Sequence, residues 1–135
     1  MIVRPDWDQV WMTTASTIAQ RSYDPRFQVG AIVVTDDNTQ VLAVGYNGNH
    51  AGGPNEPESP VPGQSGFIHA EINALLKLDY NNPKRKVMYI TLSPCRMCAK
   101  AIVNAGIDEV VFSEEYRDMS SVEILKASNV SVRKL

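Results

Sequence analysis

Val29-Gly30-Ala31-Ile32-Val33-Val34 is an unbroken apolar run, rich in β-branched residues, with no polar position to mark a solvent face. A strand of this kind is buried on both sides, so its sheet needs a layer of structure over each face. Asp36-Asp37-Asn38 is a turn cluster, and residues 41–46 read as the returning strand of a hairpin. Ahead of the hairpin, residues 7–21 read as a helix, with Val10, Trp11, Thr14, Ala15 and Ile18 at helical spacing and Asp6 positioned to cap it. Beyond it, residues 67–78 read as a helix with Ile68, Ile72, Leu75 and Leu76 available for burial. Strand 87–92, helix 95–105 stopped by Gly106, strand 109–113, helix 120–127 capped by Ser120 or Ser121, and a short strand 130–132 complete the chain. Strands separated by a helix run parallel. The expectation is an α/β fold: a three-layer α/β/α sandwich around a five-stranded mixed sheet, in one domain over residues 1–135.

Composition narrows the partners. The formal net charge is −2, without the basic excess that binds a phosphate backbone. The one basic cluster, Lys84-Arg85-Lys86, reads as the flank of a strand. The two cysteines, Cys95 and Cys98, are too close together to staple a secreted scaffold. No signal-peptide pattern and no membrane-length apolar run is present. A reducing, cytoplasmic setting is expected, with no nucleic-acid or membrane partner. The least regular stretch, residues 47–66, holds five of the eight glycines and four of the eight prolines. A loop of that length is functional or mobile, or else an insertion without consequence.

Two short motifs carry the chemistry: His69-Ala70-Glu71 and Pro94-Cys95-Arg96-Met97-Cys98. Cys95 and Cys98 open a helix one turn apart on one face. The positive end of the helix dipole there favours thiolates. Two thiolates and an imidazole suit zinc. His69 and Glu71 are two apart, which on a regular helix points them to different faces. Both reach one site only if His69 sits at the very start of its helix, and Gly66 is consistent with such a bend. Taken alone, Cys-x-x-Cys also fits a redox pair, and a structural zinc would recruit a fourth ligand such as Glu71 or His50. The joint pattern is more specific than either half: it is the signature of zinc-dependent nucleobase deaminases.

A catalytic zinc takes three protein ligands and leaves one position open. His69, Cys95 and Cys98 supply three, so Glu71 is surplus to coordination. Its expected role is to shuttle the proton of the attacking water to a ring nitrogen and then to the departing amine.

His69-Ala70-Glu71-Ile72-Asn73-Ala74 and Ser93-Pro94-Cys95-Arg96-Met97-Cys98-Ala99-Lys100 resemble the cytidine and deoxycytidylate deaminase superfamily. Asp24-Pro25, Gln28-Val29-Gly30-Ala31, Gly45-Tyr46-Asn47-Gly48 and Leu92-Ser93-Pro94-Cys95 resemble its deoxycytidylate group. The resemblance runs from about Asp24 to the C-terminus and implies a cytidine deaminase-like fold. It also implies conversion of dCMP to dUMP and ammonia, feeding thymidylate synthesis. By the same resemblance, Asn47 hydrogen-bonds the deoxyribose, the backbone at Ala70 and Ser93 holds the pyrimidine edge, and Tyr116 packs near the nucleotide. Arg26 is the first candidate for the 5′-phosphate, because guanidinium matches phosphate oxygens, and Arg117 is the second. The family further implies a homo-oligomer, commonly a hexamer, with dCTP activating and dTTP inhibiting. Gly45, Tyr46, Asn47 and Gly48 would contribute to the effector site, with Mg²⁺ accompanying the nucleotide.

The chain departs from the family at Asn49-His50-Ala51-Gly52-Gly53, where relatives often carry a proline. Many relatives also have ligands for a second, structural zinc in this loop. With no third cysteine here, one zinc per chain is expected. A tRNA adenosine deaminase would usually carry glutamate where Ser93 stands and a Trp-Asn motif in place of Gly45-Tyr46-Asn47-Gly48. A dCTP or free-cytidine deaminase and a non-catalytic zinc module remain as rival readings.

Overall fold

Successive apolar residues of the buried strands point to opposite faces of the sheet and set up two cores, one on each face. The structure, a computed structural model, describes residues 1–116 and 118–135. Its elements are α1 (Trp7–Ala19), β1 (Gly30–Thr35), β2 (Val41–Tyr46), α2 (Ala70–Leu75), β3 (Lys86–Leu92), α3 (Arg96–Asn104), β4 (Glu109–Glu114), α4 (Ser120–Ala127) and β5 (Ser131–Lys134). The five strands form one sheet in the order β2-β1-β3-β4-β5. β1 is antiparallel to both β2 and β3, whereas β3–β4 and β4–β5 are parallel. The mixed five-stranded sheet is therefore as expected.

All six residues of β1 are buried. Ala31 and Val33 pack with Ala70, Ala74, Ile102 and Leu125 of α2, α3 and α4 on one face. Ile32 and Val34 pack with Trp11, Met12 and Ala15 of α1 on the other. The three layers are thus unequal, with one helix opposite three. Two glycines permit close approach of helix backbone to the sheet. A Cβ on Gly30 would lie 2.0 Å from the Ala15 carbonyl oxygen of α1, and one on Gly45 would lie 2.5 Å from the Ala70 oxygen of α2.

Local boundaries follow capping chemistry. Asp6 caps α1 through Oδ1, which accepts the Gln9 N–H at 2.9 Å. Gly106, at φ +79°, ends the α3 segment. α4 corrects the expected cap: its N-cap is Met119, and Asp118 Oδ1 accepts the Ser120 N–H at 2.9 Å. Ser121 is instead buried, with no hydrogen-bond partner for its Oγ among the described residues.

The larger difference is α2, which begins at Ala70 and not at Phe67. Ile68 is drawn into an antiparallel bridge with Gly48, which keeps residues 67–69 extended. Leu76 is correspondingly 72% exposed, while Leu78 is buried. The basic cluster is spent on the strand's start. Lys84 and Arg85 pair with Asp37, Asp36 and Asp108, and the buried Lys86 ammonium donates to the carbonyls of Asn82 and Lys84. Among the described residues no helix is long and apolar enough to cross a membrane.

Candidate active site

Strand direction gathers the functional segments at one end of the sheet. Register pairs Gly30 with Tyr46 and Ala31 with Ile90, and Leu92 with Glu114. The carboxyl ends of β2, β3 and β4 therefore meet the amino end of β1. Loops leaving those ends hold His69, Cys95, Asn47, Ser93 and Tyr116.

His69 is the N-cap of α2, with extended backbone at φ −68° and ψ 152°, and Glu71 lies in the first turn. The chain is still turning at His69, so two side chains spaced two apart need not diverge. The Gly48 and Ile68 amides exchange hydrogen bonds of 3.1 and 2.8 Å, which fix the extended approach to His69. Cys95 is the N-cap of α3, and its Sγ accepts the Cys98 N–H at 3.4 Å. His69 Nδ1 lies 3.1 Å from Cys98 Sγ and 3.5 Å from Cys95 Sγ. All three donor atoms fall within 4.8 Å of one another. Zinc bonds of about 2.0–2.3 Å in a tetrahedral arrangement separate donors by roughly 3.5–3.8 Å. One imidazole nitrogen and two sulfurs at this spacing fit a zinc ion.

The electrostatics point the same way. The hydrogen bond from Cys98, followed by that from His69, holds the Cys95 thiol down to about 4. The same pairing with Cys95, together with burial, pushes the Cys98 thiol up. Two adjacent thiolates repel, and a bound cation would balance them. The Cys95 hydrogen bond raises His69. Glu71 is 4% exposed, and burial raises its carboxyl. A carboxyl raised by burial and left free of the donor group beside it is suited to passing protons.

The flanks divide into two loops. On one side, Asn47 is buried and its side chain is heavily engaged. Its Nδ2 donates to Phe27 O at 2.8 Å and Asp24 Oδ2 at 3.3 Å, and its Oδ1 accepts the Val29 N–H at 2.9 Å. One Oδ1 lone pair remains for a ligand hydroxyl. Asp24 Oδ1 also accepts the Arg26 and Phe27 amides, forming an Asx turn that presents Arg26. Arg26 itself is exposed, and its Nη2 donates to Pro60 O at 3.2 Å. The turn carrying Arg26 is thereby tied to the long loop of residues 47–66. On the other side, Ser93 Oγ accepts the Tyr116 N–H at 2.6 Å, and Tyr116 is half-buried. Arg117 lies outside the described residues.

The glycine turn is less open than its sequence suggests. The Asn47 and Gly48 amides are donated to Val29 O and Ile68 O. Gly45 is needed for the packing of α2 onto β2. Sequence reasoning missed Ser22, whose buried hydroxyl donates to Asn47 O at 2.8 Å and accepts the Asp24 N–H. It also missed the role of the Ser93 side chain. Ser22 makes a local turn with the Asp24 N–H, but its bond to Asn47 and the Ser93 bond to Tyr116 join residues remote along the chain and leave no sequence signal.

A metal held by one imidazole and two thiolates, with an unspent carboxylate beside it, defines a class of enzymes that remove an amine from a heteroaromatic ring. Within that class the chain belongs to the cytidine and deoxycytidylate deaminase family, whose zinc-binding-region model matches residues 5–114. It is 37% identical over 122 residues to the deoxycytidylate deaminase of Homo sapiens, covering 84% of this chain and 68% of the relative. Over 127 residues it is 38% identical to the deoxycytidylate deaminase of Mycobacterium phage D29, covering 83% and 98%. The fold superimposes on the crystal structure of dCMP deaminase from the cyanophage S-TIM5 in complex with dCMP and dUMP. That match has a TM-score of 0.84 at 32% identity and covers 99% of this chain and 100% of the other.

Proposed function

We propose that this chain is a single-domain, zinc-dependent enzyme that hydrolyses dCMP to dUMP and ammonia. The observation that carries the reading is the buried Glu71 carboxyl beside the donor triad of His69, Cys95 and Cys98. Relatives named deoxycytidylate deaminase support the choice of substrate. When bound, a zinc ion supplies Lewis acidity that brings the pKa of a water to about 7. His69 Nδ1 and the two sulfurs would hold it. Glu71 takes one proton from the attacking water and delivers it to the ring nitrogen beside the reacting carbon, then takes the second from the new hydroxyl on that carbon and delivers it to the departing amine. Ammonia leaves as a neutral molecule, and the water oxygen remains as the new carbonyl.

The substrate is oriented by groups that are still free. Ser93 N–H is donated to Glu114 O, so Ser93 offers its carbonyl to the cytosine amine. Ala70, in the first turn of α2, offers an N–H that has no partner within the helix. The remaining Asn47 Oδ1 lone pair accepts the sugar hydroxyl, Tyr116 packs beside the nucleotide and Arg26 pairs with the 5′-phosphate.

The reading extends to dUMP supply for thymidylate synthesis in the cytoplasm, and to a homohexamer activated by dCTP and inhibited by dTTP. Because the Asn47 and Gly48 amides are paired, an effector nucleotide with Mg²⁺ would be met at Gly45–Gly48 chiefly by side chains or after a local rearrangement.

The test is ammonia release from dCMP, CMP, dCTP, deoxycytidine and a tRNA hairpin, each with and without dCTP and dTTP. Preference for dCMP is expected. Equal rates on deoxycytidine would remove the phosphate contact, and turnover of the hairpin alone would replace the reading with RNA editing.

A further inference from the structure

We propose that the Ser93 hydroxyl is a positioning residue that fastens the Tyr116 side of the site to the turn carrying the metal ligands. Ser93 is 3% exposed and directly precedes Pro94-Cys95. Its N–H donates to Glu114 O at 2.9 Å, extending the β3–β4 ladder one step past the Leu92–Glu114 pair. Its side chain then spans both ends of the β4–α4 connection. Oγ accepts the Tyr116 N–H at 2.6 Å and donates to Met119 Sδ at 3.4 Å. Met119 is the N-cap of α4 and makes no side-chain cap of its own. A single buried hydroxyl therefore fixes where the connection leaves the sheet and where the next helix begins.

Both bonds are part-buried around the buried Ser93 hydroxyl, so losing that hydroxyl leaves the Tyr116 N–H without its partner and loosens the hold on Tyr116 and Met119. The metal donors are untouched, because Cys95 and Cys98 are set by the α3 N-terminus and not by Ser93 Oγ. The consequence is a division of labour. Ser93 governs how well the nucleotide is gripped on the Tyr116 side, and Glu71 governs the chemical step. This inference rests on the dCMP reading for its kinetic arm, but not for its structural arm.

The experiment compares Ser93→Ala with the wild-type holoenzyme by amide exchange of the 114–119 segment without nucleotide, by zinc content, and by kcat and KM for dCMP. Ser93→Ala should speed exchange in that segment and raise KM about tenfold, as expected for one lost charge-neutral hydrogen bond. Zinc content should be unchanged and kcat should stay within about twofold. Ser93→Cys, which keeps the size but accepts more weakly, should give an intermediate KM and serves if the alanine variant does not fold. Unchanged exchange and KM in either variant would overturn the proposal, as would a loss of zinc or a fall confined to kcat. If the wild type does not turn over dCMP, the substrate reading fails, and the exchange result still decides whether Ser93 holds the connection.

Discussion

His69 Nδ1 lies 3.1 Å from Cys98 Sγ, although the two residues are 29 positions apart. The contact exists because α2 and α3 both start at the same end of the sheet, with His69 and Cys95 as their N-caps and Cys98 in the first turn of α3. An N-cap residue has non-helical backbone, so its side chain can turn across the helix axis toward a neighbouring helix start.

In the proposed reaction Glu71 is the proton carrier. Glu71→Gln should fold and keep its zinc while kcat falls by about 10²–10⁴-fold. Metal analysis beside an ammonia assay checks this. A folded variant that has lost zinc would falsify the assignment, since Glu71 would then be a ligand.

Metal content is the second expectation. The described residues bring together one donor group, His69, Cys95 and Cys98, so atomic absorption should find one zinc per chain. Cys98→Ser should bind none and lose activity. Chelation should lower the Tm of the wild type, because a ligand held only by the folded state stabilises it by mass action. Two zinc atoms per chain would contradict the single-site account.

Arg26 is held by the Asp24 turn and has spare donors beyond its bond to Pro60 O. Arg26→Ala should raise KM for dCMP at least tenfold and leave deoxycytidine turnover unchanged, since the nucleoside lacks the phosphate. Steady-state kinetics on the two substrates make the comparison. An equal loss on both would assign Arg26 to loop packing.

Acid stability tests the far side of the sheet. Arg133 binds Asp8 through two guanidinium nitrogens at 2.8 and 3.0 Å, and the Tyr89 hydroxyl donates to Asp8 at 2.5 Å. The Arg133 hydrogen bond chiefly, against some burial, holds Asp8 below its ordinary 3.8. A depressed carboxyl pKa stabilises the fold above the unfolded value and loses that contribution as pH falls through the folded value. Asp8→Asn should therefore be less stable at neutral pH by about 1 kcal/mol, a figure kept small because the pair is partly exposed. Its Tm should converge on that of the wild type well below pH 3.8. Parallel Tm curves across that range would rule out the linkage.

Gly30 tests the packing of α1. A methyl group there would fall 2.0 Å from Ala15 O and 2.7 Å from Ala19 N. Gly30→Ala should lower Tm on the order of 10 °C, the cost of forcing backbone apart in a filled core. A Tm within a degree or two of wild type would mean that α1 can shift freely over β1.

The metal motif was legible in the chain because its halves are local: Cys95 and Cys98 share one helical turn, and His69 and Glu71 share one helix start. The apolar run at residues 29–34 likewise announced a strand covered on both faces. The start of α2 was not legible. Ile68 has the spacing of a helical core residue, but its backbone is taken by Gly48 across the long loop. The α4 cap was not legible either, for a local reason: both serines suit a cap, but the N-cap is Met119 and the Ser120 N–H goes to Asp118 Oδ1.

Sequence alone thus determined the donor set, the unspent carboxylate and the alternation of elements, all of which depend on neighbours within a few residues. The tertiary structure decided what surrounds them. The Ser93–Tyr116 bond, the Asn47 ties to Asp24 and Phe27, and the Asp8–Arg133 pair join residues 23, 23, 20 and 125 positions apart. Such contacts leave no periodicity or spacing in the chain. They exist because strand order and direction bring ends of β1, β2, β3 and β4 together at one end of the sheet, and place α1 on the face opposite α2, α3 and α4.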